Sequence, residues 1–140
     1  MFKIIPLYSD LFRNIQDFIF SETEIVYEEE DFIVFKDIRP AAEFHILIIP
    51  KNHFGPIQSL NKSHIEMLKK MEEIGQNLFN EKNYSQDDLL QGFHWPIYTI
   101  NHLHLHFIAP KQQMNCFKKI EFSSWSFGNV QMAIEKLENT

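Results

Sequence analysis

Asn101-His102-Leu103-His104-Leu105-His106-Phe107-Ile108 alternates imidazole and hydrocarbon three times over. A period of two is the strand period, because successive side chains leave a strand on opposite faces. The pattern predicts a strand over 99–108, closed by Pro110. It would put His102, His104 and His106 on one face, about 7 Å apart by strand rise. Leu103, Leu105 and Phe107 would face a core. That apolar face would fix the register, since a one-residue slip exchanges the two faces.

Other segments supply partners for such a strand. Phe44-His45-Ile46-Leu47-Ile48-Ile49 is a near-continuous apolar run ended by Pro50, as expected of a central strand buried on both faces. His45 is its one polar member. Residues 24–28 and 32–36 read as two strands joined at the acidic run 28–31. From Asn61 to about Asn80 the period changes: Ile65, Leu68, Met71, Ile74 and Leu78 mark one amphipathic helix, capped by Asn61 or Ser63. Residues 89–93 read as a short strand. Gly92 to Pro96 reads as a loop, because Pro96 lacks a ladder donor. Leu11, Phe12, Ile15, Phe18 and Ile19 suggest a short N-terminal helix or apolar arm. The aromatic-rich tail ends in a last helix marked by Val130, Ala133, Ile134 and Leu137. Together these predict one α+β domain over 1–140, with about five mainly antiparallel strands and two main helices.

Composition narrows the function. The chain has 140 residues, 44% hydrophobic and 23% charged, which suits a globular protein rather than a disordered one. Nineteen acidic against 13 basic side chains give a formal charge of −6, a poor balance for clamping long nucleic acid. One cysteine rules out an internal disulfide or a multi-cysteine zinc site and fits a reducing compartment. No run is long enough for a membrane span, and Pro6, Ser9, Asp10 and Arg13 break the early apolar stretch that could pass for a signal peptide. The chain is expected to be soluble and intracellular, without membrane contact.

Seven histidines are many for this length, and three stand within five residues. On the residues alone, three readings of 102–106 stay open. The imidazoles could be polar groups on a solvated sheet face. His-x-His with a third histidine could bind a metal. Or neutral imidazoles could act as nucleophile and acid–base groups at phosphorus, with neighbours that steady phosphate oxygens.

The stretch 102–108 resembles the motif of the histidine triad superfamily, His-φ-His-φ-His-φ-φ with φ apolar. Asp37-Ile38-Arg39-Pro40 running into Phe44–Ile49 and Pro50-Lys51-Asn52-His53 resembles a second signature of that superfamily. Gly92-Phe93-His94 and Pro110 are similar to one branch, that of the third histidine triad nucleotide-binding protein and, more distantly, the aprataxin catalytic domain. The resemblance implies a five-stranded antiparallel fold, often dimeric, and hydrolysis at the α-phosphate of a nucleotide. The substrate class it implies is a purine nucleotide, AMP or an adenosine 5′-monophosphoramidate such as AMP-lysine, with a homodimer as the working form. It implies His104 as nucleophile, His102 as its orienting partner, and His106 and His45 as phosphate contacts. His94 would protonate the leaving group. Asp37 would hold the ribose. Phe12, Ile15, Phe35 and Ile38 would wall the adenine, with Gln91 and Thr99 near the phosphate or leaving group. His53 is expected to structure its loop, His64 to be solvated and Cys116 to be a small packing residue. Leu11-Phe12-Arg13-Asn14 lacks the Cys-x-x-Cys of many relatives, so no structural zinc and no cofactor are expected. Removal of AMP from a DNA 5′ end, and nucleotide binding without catalysis, remain alternatives. The location implied is cytoplasmic and also nuclear.

Overall fold

The computed structural model describes residues 24–95 and 102–139. They form a six-stranded sheet in the order β1-β2-β3-β5-β4-β6. The strands are β1 (Ile25–Glu28), β2 (Phe32–Lys36), β3 (Phe44–Pro50), β4 (Leu90–His94), β5 (Leu105–Ala109) and β6 (Phe127–Gly128). Every neighbouring pair is antiparallel. Three α-helices accompany them: α1 (Ile65–Asn80), α2 (Cys116–Glu121) and α3 (Val130–Glu138).

All seven residues of β3 are buried, which is why its sequence reads as an apolar run. It lies between β2 and β5, with Val34 opposite Ile48 and Ile46 opposite Phe107. Register divides the side chains between two faces. Phe44, Ile46, Ile48, Leu105 and Phe107 share one face with α1 and α3 in a single apolar cluster. His45, Leu47, His106 and Ile108 share the other. The β1–β2 hairpin turns where the acidic run predicts, and buried Lys51 pairs with Glu28 at 2.9 Å.

A short 3₁₀ turn, Lys62–His64, leads into α1 and carries the cap that the sequence placed on the helix itself. The Asn61 side chain accepts the Ser63 N–H at 2.9 Å, and His64 Nδ1 accepts the Asn61 N–H at 3.0 Å. This reciprocal cap satisfies donors that the first turn would otherwise leave open. His64 is thus half-buried and bonded rather than merely solvated. Leu68, Met71, Ile74 and Phe79 form the buried stripe. Gly75 lies in that stripe because α1 crosses β5 closely: a Cβ there would stand 2.3 Å from the Phe107 ring.

Four expectations change. The sheet has six strands among the described residues rather than five, because Phe127–Gly128 pairs with β4. Gly92, Phe93 and His94 belong to a strand rather than a loop. The reason is the same pairing: a Cβ on Gly92 would meet the Gly128 carbonyl oxygen at 2.4 Å, so glycine here permits two strands to approach. The triad strand begins only at Leu105, so His102, Leu103 and His104 precede the ladder. Cys116 is exposed at the start of α2 rather than buried as a packing residue. The N-terminal segment holding Phe12 and Ile15 lies outside the described residues.

A Gly75→Ala substitution separates packing from propensity. Alanine favours a helix by about 1 kcal/mol over glycine. Overpacking against Phe107 should cost about 1–3 kcal/mol. Urea unfolding should show the variant no more stable than wild type, and net stabilisation would contradict the close crossing.

Candidate active site

His45, on β3, and His106, on β5, stand on the sheet face away from α1 and α3. Their ring nitrogens Nε2 and Nδ1 are 2.9 Å apart, and both residues are buried. The Ala41 N–H donates to His45 Nδ1 at 2.9 Å. A neutral imidazole has one N–H and one acceptor. His45 must therefore carry its hydrogen on Nε2 and donate it to His106 Nδ1. That leaves His106 with its hydrogen on Nε2. Among the described residues, His106 Nε2 is a buried polar atom with no hydrogen-bond partner. Such an atom costs stability unless a ligand meets it.

His104 lies one residue before β5, half-buried, with its ring centroid 5.1 Å from that of His106. Its Nδ1–H donates to the His102 backbone carbonyl at 2.7 Å. The lone pair is therefore on Nε2. Burial, opposed by that hydrogen bond, pushes the His104 pKa down to about 4. Near pH 7 the ring is neutral and its Nε2 is a free base.

His102 does not share the face by strand alternation. Its side chain is buried against the chain after β3, where Nε2–H donates to the Pro50 carbonyl at 3.1 Å. His53 Nδ1 is 3.1 Å from its Nδ1. Burial lowers its pKa to about 4. It meets His104 through its main-chain oxygen, not its ring.

His94 ends β4, and its ring stands 4.9 Å from that of His106, edge to face. Its Nδ1 lies 3.4 Å from the Ser126 carbonyl. Burial lowers its pKa, while the Ser126 contact and the Glu121 charge pull the other way. Phe122 closes this corner, with centroids 4.8 Å from His94, 5.2 Å from His106 and 5.8 Å from His45. Phe127 packs on Phe122 from β6. Lys118 holds the rim: its Nζ is 3.1 Å from Glu121 and 3.5 Å from the Arg39 carbonyl. Its charge helps to keep His45, His94 and His106 unprotonated, after burial. Sequence periodicity could not find Phe122, Phe127 or Lys118, because a short helix and a two-residue strand carry them.

Other expected site residues are placed differently. Gln91 is on the helix face, opposite Phe107. Its amide donates to Glu72 at 2.8 Å and accepts the Val130 N–H at 3.3 Å, so it ties β4 to α1 and α3 instead of meeting a phosphate. Asp37 accepts the Arg39 N–H at 2.8 Å and stands 3.3 Å from His45 Nε2. Its Oδ1 is taken up by that turn, and its Oδ2 faces His45. Burial raises its pKa, with the Arg39 bond opposing. His45 likewise has both ring nitrogens engaged, so it supports His106 instead of reaching a phosphate itself. Phe35 is 1% exposed and offers no open ring face, while Ile38 is half-buried beside Asp37. Phe12, Ile15 and Thr99 lie outside the described residues.

Asp37, His45 and His106 present ligand atoms within 4.8 Å of one another, a spacing a metal ion could use. The Ala41 bond speaks against it. With Nδ1 accepting, His45 Nε2 bears hydrogen and has no lone pair to give.

The neutral imidazoles predict a pH dependence of stability. The unfolded chain takes up their protons near pH 6.5. The fold refuses them until about pH 3 at His45 and about pH 4 at His102 and His104. More protons bind to the unfolded state in between, so stability is full above about pH 6.5 and falls as pH drops below it. Thermal unfolding should show Tm falling between about pH 6.5 and 5, above the carboxylate range. A flat Tm across that window would contradict neutral burial.

The family model described as scavenger mRNA decapping enzyme C-term binding matches residues 11–121. The chain is 40% identical over 121 residues to the adenosine 5′-monophosphoramidase HINT3 of Mus musculus, covering 83% of this chain and 73% of that one. It is 33% identical over 96 residues to aprataxin of Ciona intestinalis, covering 67% of this chain and 25% of the relative. A crystal structure of a HIT family hydrolase from Legionella pneumophila Philadelphia 1 superposes with a TM-score of 0.59 at 28% identity, over 64% of this chain and 82% of that one. Sequence and fold agree that the chain belongs to the histidine triad superfamily.

Proposed function

We propose that the protein hydrolyses the P–N bond of adenosine 5′-monophosphoramidates, AMP-lysine among them, through an AMP–His104 intermediate, and releases AMP. The observation that carries this reading is the His104 Nδ1–H bond to the His102 carbonyl, which leaves Nε2 as the free base of a half-buried, neutral ring. The activity named for the mouse relative supports it.

The chemistry follows from the protons. His104 Nε2 gives its lone pair to the α-phosphorus as the P–N bond of the substrate breaks. The departing amine keeps that bond's electron pair and takes a proton from His94. AMP is then held on Nε2, and the ring becomes cationic. The Nδ1–H bond to the His102 carbonyl strengthens as that charge develops, which favours the transition state over the ground state. His106 Nε2–H, the orphaned donor, meets a phosphate oxygen. His45 fixes which nitrogen of His106 carries that hydrogen. In the second half, neutral His94 takes a proton from water, water oxygen bonds phosphorus, and the P–Nε2 bond breaks to return neutral His104.

Burial alone holds His94 too neutral to be an acid near pH 7. The anionic phosphate of the substrate supplies the charge that raises it. A homodimer and a cytoplasmic and nuclear location go with this reading and do not enter the chemistry.

His104→Ala should abolish turnover of an adenosine 5′-phosphoramidate, a loss of at least about 10³-fold for a removed nucleophile. Wild type quenched in acid-free denaturant should carry an AMP mass adduct that the variant lacks. Full activity in the variant would refute the mechanism. Adenylated nicked DNA, run beside the phosphoramidate, tests the deadenylase alternative; faster turnover there would replace this substrate class.

A further inference from the structure

The stretch 102–104 precedes β5, so no ladder bond determines where His104 stands. Three contacts from the end of β3 and the chain just after it hold it. The Leu103 N–H donates to the Phe54 carbonyl at 2.8 Å. His102 Nε2–H donates to the Pro50 carbonyl at 3.1 Å. His53 and His102 approach through their Nδ1 atoms at 3.1 Å, with ring centroids 5.1 Å apart.

The direction of the last contact is set. His102 is neutral with its hydrogen on Nε2, so its Nδ1 accepts and His53 Nδ1–H donates. We propose that His53 is a positioning residue for the nucleophile: its Nδ1–H locks the His102 ring, and through it the His102 carbonyl that orients His104. The proposal rests on His104 being the nucleophile. His53 itself is exposed, and its bond is to the His102 ring. Imidazole and imidazolium both offer the required Nδ1–H, so the lock acts in either charge state of His53.

Small displacements of a reacting group are expensive: about 1 Å can cost about 10²-fold in rate. A loop anchor without a positioning role would lower stability and leave kcat alone. The two differ in what rescues them. Asparagine presents an amide N–H close to where the imidazole Nδ1 stands, whereas alanine and leucine present none.

The test is turnover of an adenosine 5′-phosphoramidate by wild type, His53→Ala and His53→Asn, with Tm measured for each. The expected result is a kcat loss of about 10- to 100-fold in His53→Ala, with KM within about twofold and most of kcat restored in His53→Asn. Wild-type kcat in His53→Ala overturns the proposal. So do equal losses in Ala and Asn when both melt near the wild-type temperature. If His53→Ala does not fold, His53→Leu against His53→Asn makes the same comparison. Activity surviving in His104→Ala strikes the nucleophile reading and this proposal with it. Full activity in His53→Ala beside an inert His104→Ala strikes this proposal alone.

Discussion

The hydrogen bond from His104 Nδ1 to the His102 carbonyl, 2.7 Å long, is the contact on which the rest of the site depends. It decides which nitrogen of His104 has a lone pair. It places that ring before β5, where the sheet no longer constrains the chain. A solvated imidazole would exchange its hydrogen between the two nitrogens and be half-protonated near pH 6.5. Held by the carbonyl and half-buried, this one stays neutral with one nitrogen free.

A second chain of bonds does the same for His106. Ala41 N–H fixes His45, His45 fixes His106, and the hydrogen ends on a nitrogen with no partner among the described residues. One ring offers a lone pair and its neighbour offers a donor, as attack on phosphorus beside an oxyanion requires. Both rest on β5. That strand is held from behind by α1, which approaches closely enough that only glycine fits against Phe107. The packing on the helix face thus sets the precision of the imidazole face.

Much of this was legible in the residues, for identifiable reasons. α1 carries a strong helical period and β2 and β3 are continuous apolar runs, and their burial follows each pattern. The imidazoles His45, His94, His104 and His106 come together as the resemblance implied. The misreadings have a common cause. Period two at 102–106 looks like strand, yet His102 and Leu103 bond the end of β3 and the loop after it instead of extending the ladder. Gln91 faces the helices because β4 pairs with β5 in a register that sets it opposite Phe107 and turns Gly92 to the imidazole face. β6 has two residues, and no period can announce it. Phe122 and Lys118 reach the site by tertiary packing alone. A sequence shows which side chains are chemically able, but not which hydrogen-bond partner fixes a tautomer.

The tautomer is therefore the quantity to measure. Long-range ¹⁵N–¹H correlation NMR of the histidine side chains at pH 7, assigned with single His→Gln variants, reads the hydrogen position on each ring. The account predicts His104 neutral with hydrogen on Nδ1 and a bare Nε2. It predicts the opposite tautomer, hydrogen on Nε2, for His45, His102 and His106. A His104 that carries its hydrogen on Nε2, or is an imidazolium at that pH, would contradict the account at its centre.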